Sequence, residues 1–139
     1  MSLTYLLDTN IILELASENP NQAVIDRVEF CSEHIAIPSS AVYELICDIY
    51  VLPQSKQRDR ILEVVESILI RFAILNYTEN TAHWQNIEEM LYQQSVNKTP
   101  ELIDAQIAAT AKTHHLILVT KDIDSFKYFD GLVLENWFE

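Results

Sequence analysis

Leu116-Ile117-Leu118-Val119 is a continuous apolar run that meets Thr120-Lys121-Asp122 without a break. Such a run, with no polar residue on either face, suits a strand buried on both sides, as strands are in a parallel sheet covered by helices. Before it, Lys98-Thr99-Pro100 opens a helix predicted to run to about His114, with Thr99 as N-cap and Pro100 at the first helical position. After it, Leu132-Val133-Leu134 reads as a short fifth strand.

The same alternation holds toward the N-terminus. Tyr5-Leu6-Leu7 reads as a buried strand, and Asp8, Thr9 and Asn10 are all N-cap residue types for a helix starting near Ile11, with Ile11, Ile12 and Leu15 on its apolar side. Asn19-Pro20-Asn21 breaks that helix, and a second runs to about Cys31 with Val24, Val28 and Cys31 at helical spacing. Ile35-Ala36-Ile37 is the second strand. Pro38-Ser39-Ser40 opens a helix that buries Val42, Leu45, Ile46 and Ile49 and ends at Pro53. The polar stretch from Gln54 to Arg60 leads into a helix carrying Ile61, Leu62, Val65, Ile68 and Leu69. Phe72-Ala73-Ile74-Leu75 is the third strand, and Thr78 to about Gln94 a further helix. Strands that alternate with helices define an α/β fold with a mainly parallel, five-stranded sheet.

The 139 residues fit one domain over 1–139, and 49% are apolar, enough for a real core. The single glycine, Gly131, excludes glycine-rich phosphate loops and dinucleotide fingerprints. A net charge of −12, from nine basic and twenty-one acidic residues, excludes a sequence-blind nucleic-acid coat protein, which needs a basic field. It leaves room for an enzyme that meets phosphate through bound cations, and it predicts a basic segment on any tight protein partner. Cys31 and Cys47 have no metal-type spacing and read as free, buried thiols. With no signal-like N-terminus and no bilayer-length apolar run, the expected location is cytoplasmic, away from the membrane.

Ligands of parallel α/β sheets bind at the carboxyl ends of the strands. Asp8 closes the first strand, Asp122 follows the fourth, Glu44 lies early in the helix after the second, and Asp104 lies in the first turn of its helix. Each also has a structural explanation: Asp8 as a helix cap, Glu44 with Asp48 as a solvated stripe four residues apart, and Asp122 as a cap for Ile123 to Phe126, with Asp124 beside it as an exposed acid. Asp104 resists that reading most. Ala108 and Ala111 share its helical face, so the carboxylate abuts a close-packed surface where an unpaired charge is costly. Clustered carboxylates repel one another and persist where a hard cation takes their oxygens. Mg²⁺ and Mn²⁺ favour such ligands, and water bound to such a cation becomes a better nucleophile toward a phosphodiester. Asn10 and Thr120 are polar groups able to orient that water or a phosphate oxygen.

These segments resemble the PIN-domain ribonucleases, in particular the VapC-type toxins of toxin–antitoxin pairs. Tyr5-Leu6-Leu7-Asp8-Thr9-Asn10 is similar to the family's opening hydrophobic-Asp-Thr-Asn. Ser39-Ser40-Ala41-Val42-Tyr43-Glu44-Leu45 resembles its serine-led helix with the second acid. The segment from Leu102 to Ala111 resembles its aspartate-plus-alanine helix, and that from Leu118 to Phe126 its Thr-x-Asp stretch ending in Phe. Gly131 to Trp137 resembles its last strand and tail. The resemblance implies a PIN-like three-layer sandwich, Mg²⁺ or Mn²⁺ at Asp8, Glu44, Asp104 and Asp122, and endonucleolytic RNA cleavage by metal-activated water. It also implies a homodimer and a small antitoxin partner. Ser125 stands where relatives carry an acid before Phe126, so Asp124 is a possible extra ligand beside Asp122. Gln94 to Pro100 replaces the glycine or basic stretch that many relatives have there.

Two other classes stand beside this one. A non-catalytic PIN-like interaction module accounts for the scarcity of basic residues. A phosphatase or phospho-acceptor domain wants a second acid near the first strand's end, where Asn10 stands instead. Lys56, Arg58 and Arg60 read as a solvated helix start, with an RNA or partner contact as the other reading. His114-His115 reads as a helix C-terminus, and Trp84, Trp137 and Tyr50 as packing or interface residues.

Overall fold

A computed structural model describes residues 2–139. The chain runs β1 (Tyr5–Leu7), α1 (Thr9–Leu15), α2 (Gln22–Phe30), a 3₁₀ turn (Ser32–His34), β2 (Ile35–Pro38), α3 (Ser39–Val51), α4 (Lys56–Arg71), β3 (Ala73–Leu75), α5 (Glu79–Val96), α6 (Leu102–His114), β4 (Ile117–Val119), α7 (Ile123–Phe126) and β5 (Leu134–Glu135).

The five strands form one sheet in the order β3-β2-β1-β4-β5, and every pairing is parallel. In the register Tyr5 faces Ile35 on one side and Ile117 on the other. From β1 the chain steps outward through β2 to β3, then returns across the sheet to β4. Right-handed crossovers put the outbound and returning helices on opposite faces. The packing agrees: α1 packs with α2, α3 and α4, while α5 and α6 pack on each other. The direction of winding therefore reverses between β1 and β4. The crevice beyond the carboxyl ends of these two strands is the topological switch point, where open α/β sheets bind ligands.

Leu6, Leu7, Ala36, Ile37, Leu118 and Val119 are fully buried, as strands covered on both faces require. Ala105, Ala108 and Ala111 are buried along α6, and their small side chains let that helix sit close to its neighbours. Among the described residues no helix is long and apolar enough to cross a membrane.

Several local expectations change. Lys56, Arg58 and Arg60 lie inside α4 rather than before it. Ser55 caps the helix by accepting from the Arg58 backbone N–H, and the Arg58 and Arg60 side chains donate to the carbonyls of Leu52 and Ala16. Helix α6 starts two residues after Pro100. Its cap is Glu101, whose carboxylate accepts from the backbone N–H groups of Ile103 and Asp104 and displaces Thr99 from that role. A charged cap at a helix N-terminus answers both the free N–H groups and the dipole. Strand β5 falls at Leu134–Glu135, past the Leu132–Val133 start. Cys31 is buried as expected, but Cys47 is exposed; both are free. Trp137 is buried against Tyr5, whereas Tyr50 is exposed beneath the Arg58 guanidinium.

Candidate metal centre at the sheet switch point

Asp8 is placed by β1 and used twice. It is the N-cap of α1, with Oδ1 accepting from the Thr9 backbone N–H at 2.7 Å. Its Oδ2 accepts from the Thr120 hydroxyl at 2.8 Å and from the Asn10 amide at 3.3 Å. Thr120 follows β4 directly, so one hydrogen bond ties the ends of the two strands that flank the switch point. The Asn10 side chain strengthens the tie, because its Oδ1 accepts from the Lys121 backbone N–H.

Asp122 follows Thr120 and caps α7. Its backbone N–H donates to the Thr120 hydroxyl, and its carboxylate accepts from the Ser125 backbone and hydroxyl. Glu44 arrives from α3 and accepts a hydrogen bond from the Thr9 hydroxyl. Asp104 comes from the first turn of α6, close to the α3–α6 contact where the Ser40 hydroxyl donates to Gln106.

Asp8, Glu44, Asp104 and Asp122 line one cavity of about 260 Å³ together with Thr9, Asn10, Leu13 and Asp48. The fold thus brings together all four acids singled out from the sequence. Asp124 is elsewhere, exposed and paired with Lys127 at 3.0 Å. Asp48, four residues on from Glu44, is exposed as a solvated stripe predicts and also reaches the cavity wall. Thr120 is fully buried and absent from the wall, with its hydroxyl spent on protein partners, so it acts on the cavity through Asp8.

Electrostatics mark two of these acids. Burial pushes Asp8 up to about 6, assisted by the charges of Glu44 and Asp122 and opposed by the hydrogen bonds from Thr120 and Thr9. Asp104 is pushed up to about 7, by burial first and then by the charges of Glu101, Asp8 and Glu44. Asp104 is therefore near half-protonation around neutrality while Asp8 is mostly ionised, and a cation among them would favour the charged form of both.

The donor set is entirely oxygen, carboxylate plus amide and hydroxyl, which fits a hard divalent ion. Among the described residues no three such side chains are drawn into a closed cage around one point.

Sequence reading missed one buried acid altogether. Glu88 of α5 is 1% exposed, its Oε1 lies 3.7 Å from the Lys112 ammonium, and its Oε2 has no partner. Burial raises its pKa, with Lys112 opposing. An acid within a polar helix surface gave no sign of this.

A parallel sheet with an oxygen-lined crevice at its switch point defines an α/β protein equipped to hold a cation. The chain belongs to the PIN domain family, whose model matches residues 5–132. It is 32% identical over 136 residues to Ribonuclease VapC2 of Haemophilus influenzae, covering 97% of this chain and 98% of the relative. It is 34% identical over 137 residues to Toxin FitB of Neisseria gonorrhoeae, covering 95% and 97%. It is also similar to a chain in a structure of FitAB bound to an IR36 DNA fragment, with a TM-score of 0.86, 28% identity, and coverage of 98% of this chain and 96% of that chain.

Proposed function

We propose that this chain is a metal-dependent endoribonuclease acting as the toxin of a toxin–antitoxin pair. The observation that carries the reading is the convergence of Asp8, Glu44, Asp104 and Asp122 on one cavity at the switch point. Full-length similarity to proteins named as a ribonuclease and a toxin supports it.

Asp8, Glu44, Asp104 and Asp122 would hold Mg²⁺ or Mn²⁺, an ion that, when bound, activates water and offsets charge on the scissile phosphate. Each side chain has a distinct part. Asp8 is the fixed member, gripped by Thr9, Asn10 and Thr120. Asp104, half-buried and raised to about 7, gains most from a neighbouring cation. Glu44 and Asp122 close the cavity from α3 and from the loop after β4. Asn10 lines the wall with its amide committed to Asp8 and Thr120, so it would meet a phosphate oxygen only by giving up one of these long contacts, while Thr120 keeps Asp8 in register.

An antitoxin with a basic segment suits both the acidic crevice and the net charge of −12. A homodimer is part of the same proposal, as is a cytoplasmic location, which the free thiols of Cys31 and Cys47 suit.

A non-catalytic interaction module is the second reading, and the scarcity of basic residues, nine against twenty-one acids, favours it. Calorimetric titration with Mn²⁺ and cleavage of a fluorescent RNA pool decide between them. The nuclease reading expects Mn²⁺ binding, cleavage that stops with chelator, and loss of both in Asp104→Asn. Full activity of Asp104→Asn overturns the site, and no binding with no cleavage leaves the interaction module.

A further inference from the structure

Thr9 follows Asp8 and is the first residue of α1. At that position no preceding helical carbonyl is available to the hydroxyl, so it is not drawn into the back-bonding that usually occupies a helical threonine. It reaches across to α3 instead and donates to Glu44 Oε1 at 2.5 Å. Thr9 is 6% exposed, so its β-branched side chain is held by packing and the hydroxyl is aimed rather than free to rotate with the chain.

Glu44 needs such a hold more than its neighbours do. Asp8 and Asp122 are short, and each is fixed by a cap bond to its own helix. Glu44 has a longer side chain, is only partly buried, and among the described residues has no other hydrogen bond and no salt bridge. One hydroxyl therefore decides where this carboxylate sits.

We propose that Thr9 is a positioning residue whose hydroxyl orients the Glu44 carboxylate toward the crevice for a divalent cation, and that this coupling between α1 and α3 sets the ion affinity of the site. The inference rests on the metal reading above. The Thr9 methyl and backbone have separate duties, in packing and in the N–H that Asp8 accepts, so the hydroxyl can be removed alone. Groups that orient a metal ligand in this way typically carry a tenfold to hundredfold share of metal affinity.

The test is calorimetric Mn²⁺ binding to the full chain, without RNA, in five proteins: wild type, Thr9→Val, Thr9→Ser, Glu44→Gln and the double variant Thr9→Val/Glu44→Gln. Thr9→Val preserves shape and removes the donor, and its dissociation constant for Mn²⁺ is expected to rise by roughly tenfold to a hundredfold. Thr9→Ser restores the donor and should recover most of that loss. In a Glu44→Gln background Thr9→Val should add little, because the hydroxyl acts through Glu44. Steady-state cleavage should show a lower kcat with KM nearly unchanged. Thr9→Ala replaces Thr9→Val if the latter does not fold by circular dichroism. Equal Mn²⁺ affinity in wild type and the hydroxyl-less variant overturns the inference alone, and so does a Thr9→Ser as weak as Thr9→Val, which would mean packing. A wild type that binds no Mn²⁺ overturns the metal reading and this inference with it.

Discussion

Replacing Thr120 by valine should loosen the site without altering its shape. Thr120 is fully buried, and its hydroxyl donates to Asp8 Oδ2 at 2.8 Å while accepting from the Asp122 backbone N–H at 2.9 Å and from the Asn10 amide at 3.3 Å. Valine is nearly isosteric, so no cavity forms and the loss is polar. Asp122 is exposed, and water can replace what its N–H loses. Asp8 is 5% exposed, and its Oδ2 keeps only the longer contact from Asn10. The cost therefore falls on one buried, under-satisfied carboxylate oxygen, about 2 kcal/mol within the usual range for such a group. For a chain of this length that lowers Tm by about 6–10 °C. The Thr120 hydrogen bond is also the largest influence holding Asp8 toward its charged form, so its loss pushes the Asp8 pKa further up and weakens Mn²⁺ binding. Thermal unfolding in chelator and Mn²⁺ titration read the two effects separately, and Thr120→Ser should retain most of both. A Thr120→Val protein that melts within about 1 °C of wild type and binds Mn²⁺ equally would refute the claim that this hydroxyl holds Asp8, since an unfilled buried acceptor has a measurable cost.

Asp122→Asn should reduce Mn²⁺ affinity on the order of tenfold to a hundredfold, the scale of a disturbed ion shell, whereas Asp124→Asn should leave it unchanged; equal losses in the two would place Asp124 in the site. Glu88 gives a pH signature away from that site. Its folded pKa is raised above the ordinary glutamate value by burial. Its contribution is therefore full below the unfolded pKa and is lost as pH rises through the folded one. Glu88→Gln should flatten that decline in Tm as pH rises above the ordinary glutamate range, and an unchanged profile would show that Lys112 compensates the charge fully.

What could be read from the sequence follows from how local each cause is. The Leu116–Val119 run and its counterparts at Tyr5 and Ile35 carry their own signal, since strands buried on both faces must be continuously apolar. Asp8 was legible because a cap residue directly after a strand is fixed by two adjacent elements. The start of α6 was not. Thr99-Pro100 has the composition of a helix start, and Glu101 displaces it because its longer carboxylate reaches two N–H groups at once. The choice between Asp122 and Asp124 was equally open in the sequence. It depends on the Thr120 hydroxyl fixing the Asp122 backbone at the cavity, while Asp124, two residues on, is exposed beside Lys127. Thr9 was visible only as a cap candidate, because its partner Glu44 lies 35 residues away.

Under the metal reading, the charge distribution would set the order of events at the crevice. Arg27, Arg71, Lys112 and Lys127 are each paired with a carboxylate, and Arg58 and Arg60 donate to backbone carbonyls. Twenty-one acids outnumber nine bases, and the crevice itself is lined by acids that repel a phosphodiester. Under the metal reading, the cation and the RNA therefore cannot bind independently: the ion removes the repulsion that the RNA would otherwise meet. Linkage makes this reciprocal, so RNA must raise the affinity for the ion by the same factor. A basic antitoxin segment would meet the opposite situation, since it is attracted most strongly to the crevice before the cation arrives. On that reading cation and antitoxin would compete for the same carboxylates, and only the cation would recruit the substrate.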